Sequence, residues 1–258
     1  MSMAVDLNSD VGESFGAWTL GDDVHVLDHV TSANVACGFH AGDPQIMLAT
    51  VKTARDRGVA VGAHPGYPDL VGFGRRAMTC TPDEVYAFCL YQIGALAAFC
   101  RAEGVSLCHV KAHGALYNQS AKDPDLARAL AQATRDAAPG LILLGLPQTQ
   151  HEVAARETGV PFAAEAFADR AYQADGSLVS RAHEGSVLHD PEAIAMRVIR
   201  MVSKGTIETA QGESVTIRAD SICVHGDNPA ARQILKTVRR ALDGADVRIS
   251  PLREVLSL

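Results

Sequence analysis

Asp10, His40, His64, Lys111, His113, Glu165 and His225 each stand at or just past the end of a short apolar run in this sequence. Carboxylates and imidazoles can pass protons near neutral pH, and an ammonium can stabilise developing negative charge. The ends of parallel strands are where α/β enzymes collect such groups. Because side chains alternate along a strand, Asp6, Asn8 and Asp10 share one side of the first run, and His109, Lys111 and His113 share one side of another. Cys223 falls in line with His225 in the same way. A carboxylate taken out of water needs a partner, so these rows must meet one another across strands. A saturated polar network at a barrel mouth would use the same residues, which leaves a structural reading of the rows open beside the catalytic one.

The loops after the runs add to the supply. Residues 36–43 (ACGFHAGD) interleave small residues with His40 and end in a helix cap, so backbone amides could face an anion. Residues 64–69 (HPGYPD) form a turn-rich stretch that would hold His64 rigidly. Residues 71–76 (VGFGRR) set flexible glycines beside Arg75 and Arg76, a combination that suits a carboxylate or phosphate but also an ordinary solvated turn. Asp10, His40, His64 and His113 could assemble a site for a divalent metal such as zinc, with a position left for water. Those ligands come from different strands, so only the fold can bring them together.

Absences narrow the chemistry further. The sequence has no Gly-x-Gly-x-x-Gly after its first strand, no Gly-x-x-x-x-Gly-Lys-Ser/Thr loop and no Gly-x-Ser-x-Gly elbow. His151-Glu152 and His183-Glu184 lack the second histidine of a His-Glu-x-x-His zinc helix. The six cysteines form no CxxC pair and are expected to be reduced and buried; Cys37 alone stands inside a polar motif and is a candidate nucleophile.

The elements that must position these groups are marked by their starts. Asp43-Pro44, Thr81-Pro82, Asp123-Pro124, Asp190-Pro191 and Asn228-Pro229 each place a capping side chain before a proline, and Thr81 with Glu84 has capping-box spacing. Between these helix starts lie apolar runs at 4–7, 31–36, 59–62, 107–112, 141–145, 161–164, 221–224 and 247–249. Strand and helix alternate along the whole chain, which implies parallel strands joined by crossovers, in a βα barrel or a doubly wound sheet. Chemistry spread over many strand ends favours the barrel. Lys204 to Arg218 breaks the pattern and reads as an inserted β-hairpin. At 258 residues with 47% hydrophobic content, the chain is expected to form one domain over residues 1–258. A net charge of -7 leaves no basic footprint for nucleic acid. No run of about 18 uninterrupted apolar residues is present to span a bilayer and no leader pattern opens the chain, so a cytoplasmic protein is expected.

Seven blocks together resemble the LamB/YcsF family: residues 6–16 (DLNSDVGESFG), 34–43 (NVACGFHAGD), 62–69 (GAHPGYPD), 72–76 (GFGRR), 110–118 (VKAHGALYN), 165–172 (EAFADRAY) and 224–227 (VHGD). They occur in the family's order, cover nearly the whole chain and show no departure from its pattern. The resemblance implies a distorted, roughly seven-stranded βα barrel similar to that of polysaccharide deacetylases. It also implies work with the partner subunits B and C of a 5-oxoprolinase, opening the lactam of 5-oxo-L-proline to L-glutamate at the expense of ATP. The missing phosphate loop leaves open whether this chain or a partner binds the nucleotide. The expected roles are that Asp10 and His64 activate or position water, by general base action or through a metal, while Lys111 and His113 stabilise the oxyanion or the phosphorylated oxygen. Arg75 or Arg170 holds the substrate carboxylate, and Asn8, Asn34, His40, Glu165 and His225 are substrate contacts or orienting groups, with Glu13 and Asp169 in reserve. Two other readings use the same residues: a metal-dependent amide or N-acetyl hydrolase that needs no ATP, and a non-catalytic scaffold that presents substrate to B and C.

Overall fold

The computed structural model describes residues 3–228 and 230–258. Its strands are β1 (Ala4–Val11), β2 (Ser32–Ala36), β3 (Ala60–His64), β4 (Leu107–Val110), β5 (Ile142–Gly145), β6 (Phe162–Phe167), β7 (Thr206–Glu208), β8 (Ser214–Thr216), β9 (Ser221–Cys223) and β10 (Arg248–Ile249). Its helices are α1 (Asp23–Leu27), α2 (Pro44–Asp56), α3 (Pro82–Ala102), α4 (Gly114–Ser120), α5 (Pro124–Ala137), α6 (Gln150–Thr158), α7 (Pro191–Lys204), α8 (Ala231–Gly244) and α9 (Leu252–Val255).

The Asp-Pro and Thr-Pro signals act as the sequence predicts. Asp43, Thr81, Asp123 and Asp190 each accept backbone amides of the first turn ahead of a proline, and Thr81 with Glu84 closes a capping box. The fifth signal includes Pro229, which lies outside the described residues; α8 starts after Ala230 without a side-chain cap, and Asn228 Oδ1 accepts the amide of Ala230 at 3.0 Å.

Seven parallel strands close into a barrel in the order β1-β2-β3-β4-β5-β6-β9, with β9 pairing back onto β1 through Asp6↔Ser221 and Asn8↔Cys223. The eighth run foreseen in the sequence, β10, adds only to the start of β1, through Ala4↔Arg248 and Val5↔Ile249. The hairpin is present as β7 and β8, an antiparallel pair separate from the barrel. Outward-facing Val5, Leu7, Val35, Val61 and Val110 join the helices in the main hydrophobic core. The long helix α3 is apolar and long enough to cross a membrane, yet Val85, Cys89, Ile93, Leu96 and Cys100 form a buried stripe along it and belong to that core.

The barrel interior, in contrast, is layered with polar groups. Deepest is Asp6, which accepts from Thr31 Oγ1 and Ser32 Oγ at 2.7 Å and from Ser221 Oγ. Above it, Asn34 donates to Asn8 Oδ1 and Asp10 Oδ1 at 2.8 Å each and accepts at its own Oδ1 from His109 Nε2 at 2.7 Å. His109 fills the space over Gly62, where any Cβ would overlap its ring, so this strand position must be glycine. Burial, reinforced by the Lys111 charge, pushes His109 down to about 3 and keeps it neutral.

Candidate active site

Strands β1, β2, β3, β4, β6 and β9 bring polar side chains at or near their ends to one point. Asp10, near the end of β1, receives Lys111 Nζ and Asn34 Nδ2 on Oδ1, both at 2.8 Å, and its Oδ2 lies 3.3 Å from His64 Nε2 at the end of β3. Burial would raise the Asp10 carboxyl, but the neighbouring His64 and Lys111 outweigh it and hold the group well below the usual range. Lys111, just past β4 and 2% exposed, lies 2.8 Å from Glu165 Oε1 of β6, 3.2 Å from Cys223 Sγ and 5.4 Å from the Phe167 ring centre. Burial alone would strip the Lys111 proton, yet Asp10, Cys223 and Glu165 keep the ammonium well above its ordinary value.

The imidazoles form a second, adjoining cluster. His113 Nδ1 sits 3.0 Å from His64 Nε2, and the His40 and His113 rings are stacked with centres 3.7 Å apart and planes within 2°. Burial first, then the neighbouring imidazoles, push His40 and His113 well below the usual histidine value. Glu13 Oε1 approaches both, 3.7 Å from His40 Nε2 and 3.6 Å from His113 Nδ1. Burial, then the charges of Asp10 and Asp227, raise Glu13 well above the usual carboxylate range.

A cavity of about 460 Å³ opens above these groups, with Asp10, His64, Lys111, His113 and His225 on its floor and Arg75, Lys122, Arg170 and Arg181 around it. Asp227 ties Arg75, at 2.6 Å, to Arg181, at 3.8 Å. His225 Nδ1 is 2.8 Å from Asp169 Oδ1, and Asp169 also accepts from Asn228 Nδ2 at 3.3 Å.

All four residues assigned to catalysis in the sequence therefore meet. Several expected substrate contacts do not reach the cavity: Asn8, Asn34, His40 and Glu165 have no exposed surface and sit beneath or beside the floor, where they fix Asp10, Lys111 and His113. Arg170 lines the cavity, but its Nη2 donates to Val179 O at 2.6 Å and its Nε to Ser186 O at 3.3 Å, so it chiefly props the loop between β6 and α7. The Arg75-Arg76 pair divides, with Arg75 turned to the cavity and Arg76 bound to Asp69. The loop at 36–43 does not offer an anion site: Gly38 N donates to Ala41 O, Gly42 N to Ser14 O, and Asp43 already caps α2. Cys37 is buried and its thiol is pushed up to about 12, which removes it as a nucleophile.

Sequence reasoning did not single out Lys122, Gln173 or Arg181. Gln173 and Arg181 lie on the segment between β6 and α7, at residues 168–190, which is long enough for a compact domain's connection to suggest a functional loop. Its length was the available signal.

A closed parallel βα barrel with an acid–base cluster beneath a cation-rimmed cavity is an enzyme-like architecture. The chain belongs to the LamB/YcsF family, whose model matches residues 5–257. It is 54% identical over 245 residues to a protein of Symbiobacterium thermophilum named as the A component of 5-oxoprolinase, covering 95% of this chain and 94% of that protein. The crystal structure of a lactam utilization protein from Thermus thermophilus shares 50% identity at a TM-score of 0.91, over 96% of this chain and 99% of that one. A deacetylase solved with substrate, 12% identical, superposes at a TM-score of 0.52 over 99% of this chain and 92% of its own, a likeness of fold alone.

Proposed function

We propose that this chain is the A component of a 5-oxoprolinase, acting with partner subunits B and C to hydrolyse 5-oxo-L-proline to L-glutamate while ATP becomes ADP and phosphate. The observation that carries the reading is the cavity itself, in which Arg75, Lys122 and Arg181 face a floor made of Asp10, His64, Lys111 and His113. A small ring bearing one carboxylate fits that charge arrangement, and relatives at about half identity bear the matching name.

An unstrained lactam is a resonance-stabilised amide with a poor leaving group. Transfer of a phosphoryl group from ATP to its oxygen makes the ring carbon electrophilic. Water then adds and the ring C–N bond breaks with the nitrogen taking a proton, which leaves an acyl phosphate on the opened chain; a second water hydrolyses that acyl phosphate to the carboxylate and inorganic phosphate. Asp10, held anionic, accepts a proton from water, with His64 orienting it. Lys111 offers its ammonium to the developing oxyanion or the phosphorylated oxygen. Arg75 and Arg181 hold the substrate carboxylate. With no phosphate loop in the sequence, the nucleotide is assigned to the partner subunits or to a site shared with them, in the cytoplasm where ATP is supplied.

The test is glutamate release from 5-oxo-L-proline by this chain alone, by B with C, and by the three together. Activity that needs both ATP and all three chains supports the proposal. Full activity of B with C alone, or ATP-independent release by this chain, defeats it.

A further inference from the structure

His64 and His113 face each other nitrogen to nitrogen. His64 Nδ1 lies 2.8 Å from the carbonyl oxygen of Lys111, and His113 Nε2 lies 2.8 Å from that of Phe73. A carbonyl only accepts, so each of these nitrogens carries a hydrogen, and a neutral ring with its hydrogen there turns a lone pair outward from the other nitrogen. The outward nitrogens, His64 Nε2 and His113 Nδ1, are 3.0 Å apart. Two lone pairs at that distance repel unless a proton or a metal ion lies between them, and the carboxylates that flank the pair supply the further ligands a metal ion needs.

The surroundings supply more acceptors. Asp10 Oδ2 lies 3.3 Å from His64 Nε2, and Glu13 Oε1 lies 3.6 Å from His113 Nδ1. Glu13 Oε1 is buried and has no hydrogen-bond partner among the described residues. Such an orphaned carboxylate oxygen needs an explanation, since burial without a partner is costly.

We propose that this point is a divalent transition-metal site, with His64 Nε2 and His113 Nδ1 as nitrogen ligands and the carboxylates of Asp10 and Glu13 as oxygen ligands. At about 2.1 Å from each nitrogen, an ion between two ligand atoms 3.0 Å apart would see them at roughly a right angle. Both histidines are already oriented through their second nitrogen by a backbone carbonyl, the arrangement that fixes tautomer and ring direction in metal-bound histidines. Phe73 presents its carbonyl from a left-handed conformation, φ 54°, a position a non-glycine residue holds only where its surroundings require it.

His40 belongs beside the site rather than in it. Its ligand atoms come within reach of those of Glu13, His64 and His113, but its ring lies parallel on that of His113, and two stacked parallel planes share no in-plane point at which both could aim a lone pair. A second cluster of Asp10, Cys223 and His225 is geometrically compact as well. Lys111 Nζ already supplies its positive charge, 2.8 Å from Asp10 and 3.2 Å from Cys223 Sγ. Asp10, His64 and His113 border the cavity, which gives an ion a route in and leaves one side facing the substrate space.

Ion binding is read without substrate or partner subunits, so this inference stands apart from the lactam reading. The purified full chain, stripped with chelator and dialysed against micromolar zinc, should retain one zinc per chain, and cobalt(II) in its place should show visible ligand-field bands without a thiolate charge-transfer band. His64→Gln and His113→Gln should each lose the ion with unchanged circular dichroism, and Glu13→Gln should weaken zinc binding by at least ~10-fold, the loss that even outer partners of a metal produce. A folded wild-type chain that stays metal-free overturns the proposal. So does zinc retained by the folded histidine variants or lost on Cys223→Ser instead. If a histidine variant does not fold, a thiolate band in the wild-type cobalt spectrum overturns it alone.

Discussion

Asp6 and Asp10 lie four residues apart on one face of one strand, and the barrel gives them opposite characters. Asp6 is surrounded by the hydroxyls of Thr31, Ser32 and Ser221; burial dominates those hydrogen bonds and raises it to about 6. Asp10, one polar layer higher, meets Lys111 and His64 and is held well below the carboxylate range. The deep layer is built from neutral hydrogen-bond donors and the upper layer from charges. Position along the barrel axis, not residue type, separates a carboxylate raised by burial from one held ionised by neighbouring charges.

Replacing the group that most separates the layers should have the largest effect. Lys111→Met leaves Asp10 and Glu165 buried without their shared cation, and a stability loss of about 3–5 kcal/mol in chemical denaturation is expected, with turnover of the reconstituted complex down by about 10³. Retention of wild-type stability would show that the upper layer does not depend on this charge. His64→Gln removes the first of the groups, His64, Lys111 and His225, that hold Asp10 ionised. Turnover should fall by about 10²–10⁴, and the acid limb of the pH–rate profile should move to higher pH as the Asp10 carboxyl rises.

The lower layer is tested by pH. Because the folded Asp6 value of about 6 exceeds its ordinary 3.8, the folded state favours the protonated form. Asp6 therefore contributes most below pH 3.8, and stability is lost as pH rises through about 6, to a total on the order of 3 kcal/mol. Asp6→Asn should flatten the stability profile over that window relative to wild type, and parallel profiles would remove the assigned character of Asp6. A smaller effect is expected at the cavity rim, where Arg181→Ala should raise KM for 5-oxo-L-proline about 10-fold with kcat little changed. Least of all, Cys37→Ala should leave turnover within about twofold, and native Cys37 should resist iodoacetamide, because its thiol is buried and raised to about 12.

What could be read from the sequence follows the range of the interactions involved. Caps such as Asp43 and Thr81 act within three residues, so their helices are written locally. Helix α4, which starts after His113 with no side-chain cap, and α6, capped by Thr149 without a proline, gave weaker signals. The apolar run of the first strand stops at Leu7 while the strand itself runs to Val11, and alternation already set Asn8 and Asp10 on its polar side. Among the site residues, the strand-end acids and bases were legible from alternation. Glu13 stood only in reserve, since its approach to His40 and His113 depends on how the chain turns after β1. Arg181 was signalled only by the length of the loop at 168–190, which does not tell where that loop folds back.

The seam that closes the barrel joins its earliest strand to one synthesised near the end of the chain, with Asn8 beside Cys223. A ribosome-bound fragment that stops short of β9 thus has Asp10 on an open edge, with its ammonium neighbour unconfined on one side. Contacts of such long sequence separation form late and slowly. The cluster of Asp10, Lys111 and Glu165 is consequently enclosed only in the finished ring, once the last barrel strand docks.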